Sequence, residues 1–224
     1  MKIGLIGYGK MGKTIHDLAE KEGHTISDIF DSKNEFLKVD GCEADVLIEF
    51  SLPRLATAHI SKALALKTPI VVGTTGWNAE KETVFKAVLD AHGALFHASN
   101  FSIGVNLFFE LNKQLAKWVK PEGYALQLHE IHHTEKLDAP SGTAITTLEK
   151  IHESFPEAQC EITHERLPNV PGTHVVKWEN SIDEITLEHK AKNRSGFALG
   201  AIRAAAFIAN KTGVFSMEDL LNSK

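Results

Sequence analysis

Short apolar runs alternate with longer segments whose apolar residues recur three and four apart through the first hundred positions of this chain. That alternation predicts β-strands separated by helices. Residues 2–7 form an apolar run ending in glycines, the pattern of a buried strand. Met11, Ile15, Leu18 and Ala19 keep helical spacing over 10–22, and Gly23 stops them. Further strands are expected at 24–30, 45–50, 69–73 and 94–98. Helices are expected at 54–67 and 79–91, the latter capped by Asn78 and stopped by Gly93. Strands alternating with helices require right-handed crossovers, so residues 1–100 predict a parallel, doubly wound sheet.

The pattern then changes. Residues 103–118 predict one helix whose broad apolar face carries Val105, Leu107, Phe108, Leu111, Leu115 and Trp118. Beyond it, Ala125, Gln127 and His129 alternate with Leu126, Leu128 and Glu130 in a loosely amphipathic strand. More strands are expected at 159–167, 173–179 and 184–190, with a helix at 143–155. An Ala-rich helix is expected at 197–210, and Ser216-Met217-Glu218-Asp219 resembles a capping box before a short terminal helix. A late apolar helix following a sheet domain returns to the first domain. The expected architecture is therefore α/β: a Rossmann-type parallel sheet from 1–102 and 197–224, plus an α+β domain with an open mixed sheet from 103–196.

Composition narrows the classes. The chain has 224 residues, 43% hydrophobic content and a net charge of -5, with no sign of the basic face that nucleic acid requires. Cys42 and Cys160 are far apart and form no CxxC pair, so two inert thiols in a reducing compartment are expected. The N-terminal apolar run is too short for a signal peptide, and no stretch approaches the ~20 apolar residues that span a bilayer. A soluble, cytoplasmic protein with no membrane partner is expected.

Gly7-Tyr8-Gly9-Lys10-Met11-Gly12 fits GxGxxG between a strand and a helix. The first glycine permits the tight turn, the second lets backbone N–H groups approach a pyrophosphate, and the third lets helix pack on strand. The helix N-terminus adds free N–H donors and a positive dipole. Asp31 closes the second strand 24 positions after Gly7, where an acidic residue meets ribose hydroxyls. Lys33 and Ser32 follow and could neutralise a 2′-phosphate, so NADH and NADPH both remain open, with NADH favoured by no more than roughly tenfold. Phe50-Ser51, Gly73-Thr74-Thr75-Gly76 and Ser99-Asn100-Phe101-Ser102 stand at other strand ends, where ligands of such sheets bind. Singly, each is also an ordinary turn.

The densest chemistry lies at 129–143, where His129, His132, His133 and Lys136 crowd a strand end before a Pro-Ser-Gly-Thr turn into a helix. Free N–H groups at that helix start suit a carboxylate, and Ser141 is a candidate cap. Imidazoles that titrate near neutrality beside a lysine make a cationic, proton-carrying floor for an anionic substrate. A zinc site of His129, His132 and His133 is one alternative, although a strand puts His132 on the face opposite the other two and no cysteine joins them. Surface histidines without a role are another.

Glu130-Ile131-His132-His133-Thr134-Glu135-Lys136-Leu137-Asp138-Ala139-Pro140-Ser141-Gly142-Thr143-Ala144 resembles the signature of bacterial dihydrodipicolinate (4-hydroxy-tetrahydrodipicolinate) reductases. The glycine loop, Gly73–Gly76 and Asn100–Ser102 fall in that family's order, so the resemblance covers essentially the whole chain. It implies an NADH- or NADPH-dependent oxidoreductase of lysine biosynthesis acting on a small cyclic dicarboxylate. It further implies a middle domain for substrate binding and oligomerisation, whose sheet builds a homotetramer. By the resemblance, His132 is the acid/base residue, Lys136 the proton donor, and His133, Gly142 and Thr143 hold substrate. Gly7, Tyr8, Gly9, Lys10, Met11, Gly12, Asp31, Lys33, Phe50, Gly73, Thr74, Thr75, Ser99, Asn100, Phe101 and Ser102 hold the dinucleotide, and no metal is required. The segment from Asp31 to Phe50 is shorter than in the longer members. A semialdehyde dehydrogenase of similar plan, or a non-catalytic dinucleotide-binding regulator, are the other readings; neither needs His-His-x-x-Lys before a Ser-Gly-Thr helix start.

Overall fold

In the computed structural model, which describes residues 1–193 and 195–223, the chain divides into two compact units, Met1–Ser102 with Ser195–Lys224 and Ile103–Arg194. The first is built on β1 (Lys2–Ile6), β2 (Thr25–Phe30), β3 (Val46–Glu49), β4 (Ile70–Val72), β5 (Ala94–His97) and, late in the chain, β10 (Gly213–Phe215). All pair in parallel, in the order β10-β5-β4-β3-β1-β2. The order reverses between β1 and β3, the switch point at which such sheets open a crevice.

Side chains alternate across each strand, so one face of the sheet offers Ile6, Leu47, Val72 and Leu95 to a core with Ala56 and Ile60 of α2 (Pro53–Ala65) and Val84 and Val88 of α3 (Lys81–Asp90). Ile3, Leu5, Ile48 and Phe96 are buried on the alternate positions. There α1 (Lys10–Lys21) packs on α6 (Ser195–Ile208), which also crosses β3, β4 and β5. α6 also lies close against the segment that follows β5: a Cβ on Gly200 would lie 1.7 Å from the Phe101 carbonyl oxygen.

Three local expectations are corrected. β10 was not foreseen, because Gly213-Val214-Phe215 is too short to show a period and forms by pairing with β5. Asn78 does not cap α3; it opens a 3₁₀ turn, Asn78–Glu80, and Glu80 occupies the cap position. Trp77, buried with its Nε1 donating to the Thr74 carbonyl at 2.8 Å, fixes that entry. α6 starts at Ser195, two residues ahead of 197. At the terminus, Ser216 N and Oγ both donate to Asp219 Oδ2 and close α7 (Met217–Asn222).

The second unit carries β6 (Ala125–His132), β7 (Ile162–Arg166), β8 (Thr173–Glu179) and β9 (Glu184–Lys190) in the order β7-β6-β8-β9. β6 and β7 are parallel and the other pairs antiparallel, so the sheet is mixed. α4 (Ile103–Val119) and α5 (Gly142–Ser154) pack on each other and on β9 and β6. Leu126, Leu128, Glu130 and His132 of β6 are buried, while Ala125 and Gln127 are exposed. Trp178, Val176 and Ile151 complete that core. Two polar residues thus continue the line of an apolar strand face.

Candidate active site

In the first unit the glycine loop is shaped by close backbone approach. Gly7, at φ 93°, donates its N–H to the Phe30 carbonyl at 2.8 Å. A Cβ there would lie 2.1 Å from the Phe50 carbonyl oxygen, and one on Gly12 would lie 2.2 Å from that of Gly7. Gly9 differs: a Cβ on it would meet nothing within 4 Å, and it stands at the N-cap of α1 with no side-chain cap. Open space beside an uncapped helix start fits the pyrophosphate of a dinucleotide. Lys10 is exposed, Met11 is half-buried, and Tyr8 Oη lies 2.9 Å from His16 Nδ1.

Other strand ends join this edge. Asp31 Oδ1 accepts from Lys33 N at 2.8 Å and Asn34 N at 3.1 Å, and these bonds hold its carboxyl below the usual range. Gly73 faces the Phe50 ring, which a Cβ would meet at 2.2 Å. Thr74 Oγ1 accepts from Ser51 N at 2.8 Å, Asn100 Oδ1 accepts from Ser102 N at 2.9 Å, and the Phe101 ring lies 5.7 Å from that of Phe50. Thr75 and Ser99 are exposed. Reading the sequence missed Glu49, fully buried at the end of β3, which accepts from Ser51 Oγ and lies 3.3 Å from His59 Nδ1. A single acidic residue closing an apolar strand was the available signal.

In the second unit β6 delivers His132, buried, to the mouth of the sheet. Ser141 Oγ accepts from Ala144 N at 3.1 Å and so caps α5. Gly142 leads that helix with no atom within 4 Å of an added Cβ, and Thr143 follows, half-buried. Lys136 Nζ donates to both oxygens of Asp138, at 2.7 and 2.8 Å. That bond, with a further one from Gly142 N–H, lowers the Asp138 carboxyl. His133 lines a cleft of about 340 Å³ with Thr134, Pro168, Asn169 and Asn193.

The residue that sequence reading undervalued here is Glu130. Fully buried, it accepts from Ser141 N at 3.0 Å through Oε1 and receives Arg166 Nη2 at 3.4 Å. Its Oε2 lies 3.6 Å from both His132 Nδ1 and His174 Nε2. Burial raises its proton affinity, but the Ser141 bonds and the two imidazoles outweigh this and the carboxyl stays lowered. Burial also lowers His132, opposed by Glu130 and reinforced by Lys136 and Arg166, while His174 is pushed down to about 4, chiefly by burial. His129 lies apart on the outer face, 2.8 Å from Thr163 Oγ1. Among the described residues the group close enough to share a metal ion is Glu130, His132 and His174, not the three histidines. Arg166 and Ser141 already engage that carboxylate.

A switch-point parallel sheet with a glycine-built anion cradle, and a second unit carrying imidazoles and a lysine at a helix start, define a two-domain dinucleotide-dependent oxidoreductase. Residues 1–101 match the family described as dihydrodipicolinate reductase, N-terminus, and residues 104–221 match dihydrodipicolinate reductase, C-terminus. The chain is 42% identical to a 4-hydroxy-tetrahydrodipicolinate reductase of Christiangramia forsetii over 99% of its own length and 98% of the relative's. It is 35% identical to one of Thermosipho africanus over the same shares. Its fold is that of a dipicolinate-bound dihydrodipicolinate reductase from Paenisporosarcina sp. TG-14, with a TM-score of 0.82, 20% identity and coverage of 96% and 97% of the two chains. The chain belongs to the dihydrodipicolinate reductase family.

Proposed function

We propose that this chain reduces 4-hydroxy-tetrahydrodipicolinate to tetrahydrodipicolinate, a step toward diaminopimelate and lysine, with His132 and Lys136 handling protons. The identity of 42% across nearly the whole chain to a relative of that name carries the reading. The linkage of His132 to the α5 helix start through Glu130, and of Lys136 through Asp138, supports it.

A reduced nicotinamide, when bound, supplies a hydride. The chain's own residues do the rest. Gly7, Gly9 and Gly12 admit the pyrophosphate, and Asp31 keeps Oδ2 for ribose hydroxyls while Oδ1 holds its own turn. Gly142 and Thr143 offer helix-start N–H groups to a substrate carboxylate, which must displace Asp138 from Gly142 and from Lys136. His133 contacts substrate, and Lys136, released from Asp138, pairs with it as a charge-assisted donor. The substrate loses its 4-hydroxyl as water to give a conjugated imine, the imine accepts the hydride, and His132 gives the proton that completes reduction. The protein works without a metal, in the cytoplasm, as a homotetramer, with either NADH or NADPH.

Mixing purified protein with substrate and NADH while following nicotinamide absorbance tests the reading. His132→Gln is expected to lower kcat by about 10² or more, the scale of a general acid, with NADH affinity unchanged. Near-wild-type turnover removes His132 from the chemistry, and turnover only with an amino-acid semialdehyde overturns the substrate.

A further inference from the structure

We infer that Glu130 is a positioning residue for His132: its buried carboxylate, anchored by Arg166 and Ser141, faces Nδ1 of the imidazole and orients the ring. This rests on the reading of His132 as the proton-transfer group. Two residues apart on β6, Glu130 and His132 share the inward face of the strand. Register places His174 of β8 directly across from Glu130, and Arg166 of β7 opposite His132. Four elements thus converge on one carboxylate that has no access to water.

Each donor has a consequence. Arg166 Nη2 and Ser141 N hold the Glu130 carboxylate in place, and Arg166 also donates to the Asp138 carbonyl at 2.7 Å, tying it to the loop that carries Lys136. His132 Nδ1 is buried, has no hydrogen-bond partner among the described residues, and faces Oε2 at 3.6 Å. A proton on Nδ1 is therefore the favoured tautomer, which leaves Nε2 to exchange protons. Gly172 keeps that nitrogen uncrowded, since a Cβ there would lie 3.1 Å from Nε2.

The surrounding charges explain why the carboxylate is needed. Burial is what opposes a charge on His132 most, Lys136 and Arg166 oppose it further, and exposed Asp138 offsets only part. His174, the rival for Oε2, is itself disfavoured as a cation by burial, by His132 and by His189 on β9. Glu130 is the counter-charge in contact with the imidazole, and without it His132 would be a buried group facing two cations.

Glu130→Gln keeps the shape and removes the charge. In the full-length chain with ring-labelled histidine, His132→Gln assigns the His132 signal, and its titration is followed by NMR. In Glu130→Gln that titration is expected to move at least about one pH unit toward acid. A group that works protonated loses activity as pH rises through its pKa, so the alkaline limb of kcat moves the same way. At neutral pH kcat should fall about tenfold or more, with NADH affinity unchanged and Glu130→Asp restoring part of the shift. An unmoved titration overturns the inference, whatever the rate does. A titration that moves without the rate limb upholds Glu130's hold on His132 and instead removes His132 as the proton donor. Should Glu130→Gln fail to fold, Glu130→Asp, which keeps the charge but withdraws it by one methylene, is expected to move the His132 titration toward acid by a smaller amount, and an unmoved titration overturns the inference.

Discussion

The two units build their sites from opposite materials. The edge of the parallel sheet is made of missing side chains: Gly7, Gly12 and Gly73 sit where a single methyl would collide with backbone or ring, and Gly9 leaves a space open. The end of the mixed sheet is made of buried charge, with Glu130 at its centre and His132, His174 and Arg166 around it. Shape governs the first and proton affinity the second. The first is thus sensitive to added volume, whereas the second leaves room for a methyl at Gly142 and is governed by the charges around Glu130.

The widest separation comes from adding that methyl. Gly12→Ala puts a Cβ 2.2 Å from the Gly7 carbonyl oxygen. Overpacking of about 1–3 kcal/mol is expected to weaken NADH binding by up to roughly a hundredfold in a fluorescence titration. Gly142→Ala meets open space and gains about 0.5–1 kcal/mol of helix propensity, so the melting temperature should hold or rise while KM for substrate increases. Equal losses of cofactor affinity in the two variants would erase the contrast.

Acid provides a second, smaller separation. His174 has a folded pKa of about 4 against an ordinary 6.5, so between those values the unfolded chain binds more protons than the folded one. Stability is complete above about 6.5 and declines as pH falls toward 4, by up to roughly 3 kcal/mol. His97 of the first unit is also pushed to about 4, by burial and then by Lys81, but it is only half-buried, so water screens it more than it screens His174. Thermal melts at pH 7 and pH 5 should therefore lose more of their difference in His174→Gln than in His97→Gln. The reverse order would place the acid-sensitive burial in the parallel sheet.

The smallest effect concerns nucleotide choice. Asp31 and Lys33 are both exposed, and Asp31 already spends Oδ1 on the backbone of Lys33 and Asn34. An exposed charge contributes about 0–1 kcal/mol, so Lys33→Ala should weaken NADPH several-fold while leaving NADH almost unchanged in kcat/KM. Equal losses would show that another group reads the adenosine.

What could be read along the chain follows range. The glycine turn, the Ser141 cap, the Ser216–Asp219 closure and the helix and strand periods depend on neighbours within a few positions, and the same short motifs carried the family resemblance that the matched family and its relatives uphold. Asn78 misled because Trp77 is buried by tertiary packing, and β10 exists only because β5 presents an edge for it. Glu130 was visible as a letter beside the histidines, yet its partners lie on other strands: Arg166 is 36 positions away and His174 is brought opposite by the β6–β8 register. Local propensity cannot specify which side chains face each other across a sheet. Burial then sets their proton affinities, because only the folded core removes the water that would otherwise screen those charges.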